Sequence, residues 1–111
     1  MKSLGLHVYL VNFESNLGAT GTGALVVTNG RLTGRDNGYS YRGFIKDVGG
    51  LVRGALIITR VDDRAVSVFG SVDQFIMEIA GNCVSGQWTY SGQVVGAEHL
   101  KVRFDLKRIH L

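Results

Sequence analysis

Hydrophobic and polar residues alternate along much of this 111-residue chain. The pattern is clearest in HLKVRFDLKRI at 99–109, where every second position from Leu100 to Leu106 is apolar. Such alternation is typical of a β-strand with one face in a core and one in water. Helical spacing of apolar residues is nearly absent. The pattern predicts about eight strands, at 5–13, 21–28, 31–34, 39–46, 51–60, 72–81, 85–92 and 99–109.

Turn signals separate these strands. The pair at 29–30 is Asn-Gly and predicts a type I′ hairpin, because both residues tolerate positive φ. RDNG at 35–38 and DVGG at 47–50 predict tight turns, GN at 81–82 is expected to precede the next strand, and 61–71 is a longer connection. Consecutive hairpins close most simply into an all-β, up-and-down antiparallel barrel, which removes exposed sheet edges. A two-sheet sandwich is the alternative.

Composition agrees with one small β domain spanning 1–111. Glycine is abundant, with 16 residues, and proline is absent, which suits strands joined by glycine turns. Cys83 is the only cysteine, so an internal disulfide is excluded and a reducing compartment is favoured. No apolar stretch approaches the ~20 residues that span a bilayer. The net charge of +3 allows an anionic partner without requiring one.

The glycine-rich segment GATGTG at 18–23 is the first candidate for chemistry. A phosphate-binding loop leads directly into a helix, whose amide groups hold the anion. Here the strand-like run ALVV at 24–27 follows instead, and no Gly-Lys-Ser/Thr motif is present. The glycines are therefore interpreted as turns, bulges and barrel corners.

Histidine and cysteine provide no catalytic or metal-binding motif. His7, His99 and His110 fall in the first and last strands, which are neighbours in a closed barrel, but no pair has ligand spacing. Surface histidines are the favoured interpretation. No histidine or cation close in sequence lowers the thiol pKa of Cys83, so a partly buried structural cysteine is preferred. We predict a non-enzymatic protein without a metal or cofactor.

Two pairs of aromatic residues share strand faces. Tyr39 and Tyr41 lie on one face, and Trp88 and Tyr90 on another. Inside a barrel they could contact a small apolar ligand with a polar head group. An eight-stranded barrel is also narrow enough to be filled by side chains, and the filled core is favoured.

The polar face of the last strand carries a stripe of basic residues. Its members are His99, Lys101, Arg103 and Lys107, offset by Asp105. A solvated face is the usual reason for such alternation. A docking site for an acidic partner or nucleic acid is the alternative, although the aromatic residues that stack on single strands are missing from this face.

The segments GLHVYLVNF and GTGALVVTNGRLTGRDNGYSYRGFI resemble the negative-regulator family of type III secretion, the GrlR-like proteins. The pattern comprises a first strand ending in Phe, then Gly-x-Gly, an apolar strand, Asn-Gly, Thr-Gly-x-Asp and Tyr-x-Gly. Its residues here are Gly5, Tyr9, Phe13, Gly21, Gly23, Asn29, Gly30, Thr33, Gly34, Asp36, Tyr41 and Gly43.

The resemblance implies a lipocalin-like barrel, cytoplasmic and homodimeric, that binds a transcriptional activator and keeps it inactive. From the modest charge and the lack of a long apolar stretch, we expect no direct contact with nucleic acid or membrane. Family members carry an acidic cluster after the Tyr-x-Gly strand, whereas KDVGG at 46–50 has Asp47 as its only acid and adds Lys46. Lys46 and Asp47 are thus the candidate partner-binding loop. The alternative function is a barrel that binds a small apolar ligand.

Overall fold

The computed structural model describes residues 7–67, 69, 72–84 and 87–109. Eight strands lie within these residues. They are β1 His7–Ser15, β2 Thr20–Thr28, β3 Arg31–Arg35, β4 Tyr39–Val48, β5 Leu51–Arg60, β6 Gln74–Val84, β7 Gln87–Val94 and β8 Ala97–Ile109. Within the described ranges, no helix has the length and apolar character needed to cross a membrane.

The strands form a closed antiparallel barrel in which each strand pairs with the next along the chain. β1 also pairs with β8, from Val8 opposite Ile109 to Ser15 opposite Val102. This pairing leaves neither strand with an open edge, so the predicted up-and-down barrel is confirmed and the sandwich is excluded.

The tight turns have the predicted geometry. Asn29 and Gly30 both have positive φ, 51° and 77°, as a type I′ turn requires. Gly49 and Gly50 do the same between β4 and β5, with φ of 63° and 87°. Each pair joins adjacent strands by the shortest possible hairpin.

The predicted turn at 81–82 is wrong. These residues lie inside β6, where Gly81 pairs with Tyr90 and Asn82 pairs with Thr89. A Cβ on Gly81 would collide with the Tyr90 ring and with the backbone of β7. Glycine is needed here to make room for an aromatic ring, whereas the sequence pattern suggested a reversal of the chain.

Some predictions made from the sequence fall on residues outside the described ranges. These residues are Gly5, residues 68, 70 and 71 of the longer connection, residues 85–86 and His110. Where the predicted strands overlap the described ranges, their ends agree to within a few residues, and the longer connection extends over 61–73.

The core fills the barrel interior because inner positions alternate with outer ones on every strand. Leu32, Met77 and Val52 are its most completely buried side chains. Inner-face glycines make space among the larger residues. At Gly43, an added Cβ would collide with the carbonyl of Ala55 on the neighbouring strand. The bends that glycine permits let strands of this length coil into a narrow barrel.

Candidate functional site

One end of the barrel holds a half-buried cluster of polar groups around Asp36. Its Oδ1 accepts hydrogen bonds from the backbone N–H groups of Gly38 and Tyr39, both at 2.8 Å. The hydroxyl of Tyr41 donates to Oδ2. Burial raises the pKa of the Tyr41 phenol, and the hydrogen bond to Asp36 and the charge of that carboxylate raise it further. The phenol therefore remains a donor, and the carboxylate is held by three groups.

The connection between β5 and β6 is fastened across this end. The hydroxyl of Tyr39 donates to the carbonyl of Val72 at 2.7 Å. The Arg60 guanidinium donates to the carbonyls of Asp63 and Ala65, both at 3.4 Å, and forms an ion pair with Asp73. These bonds tie both ends of the connection to β4 and β5.

The interior leaves little room for a ligand. An apolar cavity of about 50 Å³ lies near Asp36, Tyr39 and Tyr41. Small-molecule sites usually measure roughly 300–1,000 Å³, so this space suits one or two water-sized groups. Trp88 and Tyr90 are not part of its lining; they pack edge to face, with ring centroids 6.1 Å apart. The two aromatic pairs thus lie inside the barrel but do not form one pocket.

The barrel separates His7 from His99, although the two strands that carry them are neighbours. His7 begins β1, whereas His99 lies beyond the other end of that strand, where its carbonyl accepts a hydrogen bond from the side chain of Asn16 at 2.8 Å. His99 is exposed as predicted, but His7 is half-buried, because it shares the inner face of β1 with Tyr9. No cluster of three metal-binding side chains occurs among the described residues. The side chain of Cys83 and all of His110 lie outside them.

A basic and apolar surface covers the outside of β3, β4 and β5; we call it the basic-apolar face. Its members are Arg31, Arg35, Arg42, Phe44, Lys46, Arg53 and Ile57. The register places Arg31 beside Phe44 and Arg42 beside Ile57. Phe44 is 60% exposed and Ile57 is 40% exposed, and an open groove of about 440 Å³ runs between them and the two arginines.

No acidic residue occupies an outward position on these three strands. Asp47 is the only acid in them, and it follows the inward register, opposite Val52. Its carboxylate accepts the backbone N–H of Gly50 at 3.0 Å and so stabilises its own hairpin. Lys46 lies opposite Arg53 on the basic-apolar face. The two residues of the predicted partner-binding loop therefore have different surroundings.

The basic stripe of β8 lies among acids. Arg103 forms an ion pair with Asp105 at 3.5 Å, and Glu14 lies opposite Arg103 on β1. Asp105 also accepts a hydrogen bond from the hydroxyl of Thr89 at 3.3 Å. Neutralisation by neighbours makes this stripe a weaker attractor for an anionic partner than its sequence suggested.

Comparison with known proteins adds no relative: no family model matches the chain, and no curated protein matches it. The features that sequence reasoning missed are the basic-apolar face and the bonding of Asp36. The basic-apolar face was missed because its cations lie on three different strands, and only the pairing register shows that they are neighbours. Asp36 had a sequence signal, since an aspartate two residues before glycine often caps its own turn.

Proposed function

We propose that the chain is a non-enzymatic regulatory protein of the GrlR-like family, which binds a transcriptional activator and occludes its functional surface. The family assignment rests on the residue pattern from Gly21 to Gly43. A cytoplasmic location and a homodimer belong to the same proposal.

The observation that carries the proposal is the continuous exposed apolar surface on the outside of the barrel. Phe44 and Ile57 are diagonal neighbours on β4 and β5, and Ile76 lies beside Ile57 on β6 at 46% exposure. Contiguous apolar patches on a protein surface mark interaction sites. The interior supports the ligand-binding alternative less well, because its cavity measures only about 50 Å³.

Occlusion requires no chemistry from the barrel. A rigid, closed sheet provides a preformed surface, so little conformational entropy is lost when a partner covers it. An activator held against that surface cannot present the same residues to DNA or to another protein.

The test has two stages. The tagged chain is crosslinked in its native cells and captured, and we expect a transcriptional activator among the captured proteins. That activator is then purified and bound to its promoter, and the complex is titrated with the barrel in an electrophoretic mobility assay.

Release of the activator from the promoter is the expected result. A heat-denatured sample of the chain serves as the control. Capture of no DNA-binding regulator, or a promoter complex unchanged by excess barrel, would contradict the proposal.

A further inference from the structure

We propose that the basic-apolar face binds an acidic amphipathic helix of the partner, with the apolar stripe of the helix on Phe44 and Ile57 and its acidic flanks on the surrounding arginines. The inference rests on the proposed function, because it assigns that protein-binding activity to one surface and one partner chemistry.

The apolar centre of the site has the dimensions of a helix stripe. Phe44, Ile57 and Ile76 step across three adjacent strands. Neighbouring strands are about 4.8 Å apart, and Ile57 lies two residues, about 7 Å, along β5 from the position opposite Phe44, so the row spans roughly 12 Å. Two turns of an α-helix rise about 11 Å, which places apolar residues at i and i+7 over the two ends of the row.

All charged side chains on the outer faces of β3, β4 and β5 around Phe44 and Ile57 are positive, whereas Glu78 borders the Ile76 end of the row. Arg31 and Arg42 border the groove beside Phe44 and Ile57, and Lys46 and Arg53 form a second pair of cations on β4 and β5. Among the described residues, none of these four cations takes part in an ion pair. The closest acid by register is Glu78 on β6, opposite Ala55. A complementary partner therefore carries carboxylates on both sides of its apolar stripe.

The aromatic content favours a protein partner over a nucleic acid. Phe44 is the only one of the chain's ten aromatic residues at an outward strand position, and its apolar neighbours are aliphatic. Single-stranded nucleic acids are bound by several aromatic side chains on which successive bases stack. The isoleucine side chains beside Phe44 can instead pack against aliphatic side chains, such as leucine, on the apolar stripe of a helix.

The test uses a synthetic 18-residue helical peptide with leucine at i, i+3, i+4 and i+7 and glutamate on both flanks, labelled with fluorescein. Its binding to the full chain is measured by fluorescence anisotropy. We expect saturable binding that weakens as salt is raised. The double variant Arg42→Glu/Arg53→Glu should weaken it at least about tenfold, and Phe44→Thr should have a similar effect.

The matched control is Lys107→Glu/Arg108→Glu, which makes the same change of charge on β8. We expect its affinity to stay within about twofold of the unmodified chain, because both residues pair with β1, which lies four strands away from β5 in the barrel. Circular dichroism and thermal unfolding establish that each variant is folded. An amide chemical-shift map should place the peptide on β3, β4 and β5.

Three results would overturn the inference: no binding of the peptide, equal losses from the two double variants, or equal binding of a peptide with lysine in place of glutamate. Stronger binding of an 18-nucleotide thymidine oligomer at the same residues would assign the face to nucleic acid instead. The outcome is separable from the proposed function. If the Arg42→Glu/Arg53→Glu variant releases the activator from its promoter as well as the unmodified chain does, the basic-apolar face is not the binding site. The proposal that the chain is a regulator would still stand.

Discussion

The two faces of β4 have different surroundings. Its inner residues are held by partners: Tyr41 donates to Asp36, and Tyr39 donates to the carbonyl of Val72. Its outer residues Arg42 and Phe44 are exposed, and their side chains make no hydrogen bond or ion pair within the described part of the chain. One strand thus contributes stability through one face and leaves the other available for binding.

The largest effect is expected at an inner glycine. Gly43→Ala should lower the free energy of unfolding by about 3 kcal/mol, because the new Cβ collides with the backbone of β5, which cannot move without disturbing the barrel. Urea unfolding measures the loss. Gly21→Ala is the matched control: the three atoms nearest to its Cβ all belong to the Phe13 ring, the closest at 2.6 Å, and that ring can rotate. A loss at Gly43 no greater than at Gly21 would contradict the explanation.

Tyr41→Phe should lower the free energy of unfolding by about 2 kcal/mol at pH 7, because the half-buried carboxylate of Asp36 loses a donor. The effect depends on pH. The folded pKa of Tyr41 is raised, so its stabilisation is complete below the ordinary tyrosine pKa of about 10 and is lost above it. Above pH 10, the free energy of unfolding of the unmodified chain therefore falls by up to about 1.4 kcal/mol per pH unit relative to that of the variant.

Urea unfolding of both proteins at pH 7, 9, 10 and 11 checks this dependence. We expect a constant difference up to pH 9 and a smaller one at pH 11. A difference that stays constant or widens above pH 10 would show that the phenol is not protected in the folded state.

Tyr39→Phe should cost about 1 kcal/mol, since it removes the single hydrogen bond to the carbonyl of Val72. Because that bond fastens the connection between β5 and β6, cleavage of residues 61–73 by trypsin after Arg64 should become faster. Mass spectrometry of the digest identifies the cut. An unchanged rate of cleavage at Arg64 would mean that the bonds of Arg60 and the backbone bonds of Val61 and Asp62 to Gly38 are sufficient to hold the connection.

Phe44→Thr should have the smallest effect on stability, within about 0.5 kcal/mol, because the ring is 60% exposed and threonine keeps a strong preference for strands. The same variant is expected to lose binding of the acidic peptide. A large loss of stability at this position would show that the outer face of β4 also supports the fold, and would remove the contrast with the inner face.

Local signals predicted the fold well. The alternation of apolar and polar residues located the strands. The pairs at 29–30 and 49–50 predicted their hairpins, because few residues other than glycine and asparagine adopt positive φ. Gly81 shows the limit of this reasoning. A glycine that makes room for a ring on the next strand looks, in sequence, like one that turns the chain, and only the partner Tyr90 distinguishes them.

The candidate site depended on register, which the sequence does not display. The stripe on β8 was visible because its cations alternate within one segment, yet Asp105 and Glu14 surround Arg103 in the barrel. The basic-apolar face was overlooked because Arg31, Arg42 and Arg53 belong to three strands. Predicting it would have required knowing which outward residues become neighbours.

The pairing of β1 with β8 has a consequence for how the chain folds. Every other pairing joins strands that are adjacent in sequence, so it can form within one hairpin, whereas Ser15 and Val102 are far apart along the chain. Closing so long a loop costs the most chain entropy, and non-local contacts slow folding. We therefore expect this seam to be the last to form and the first to open. The side chain of Asn16 hydrogen-bonds the backbone of His99 and Lys101 and so stabilises one end of the β1–β8 pairing.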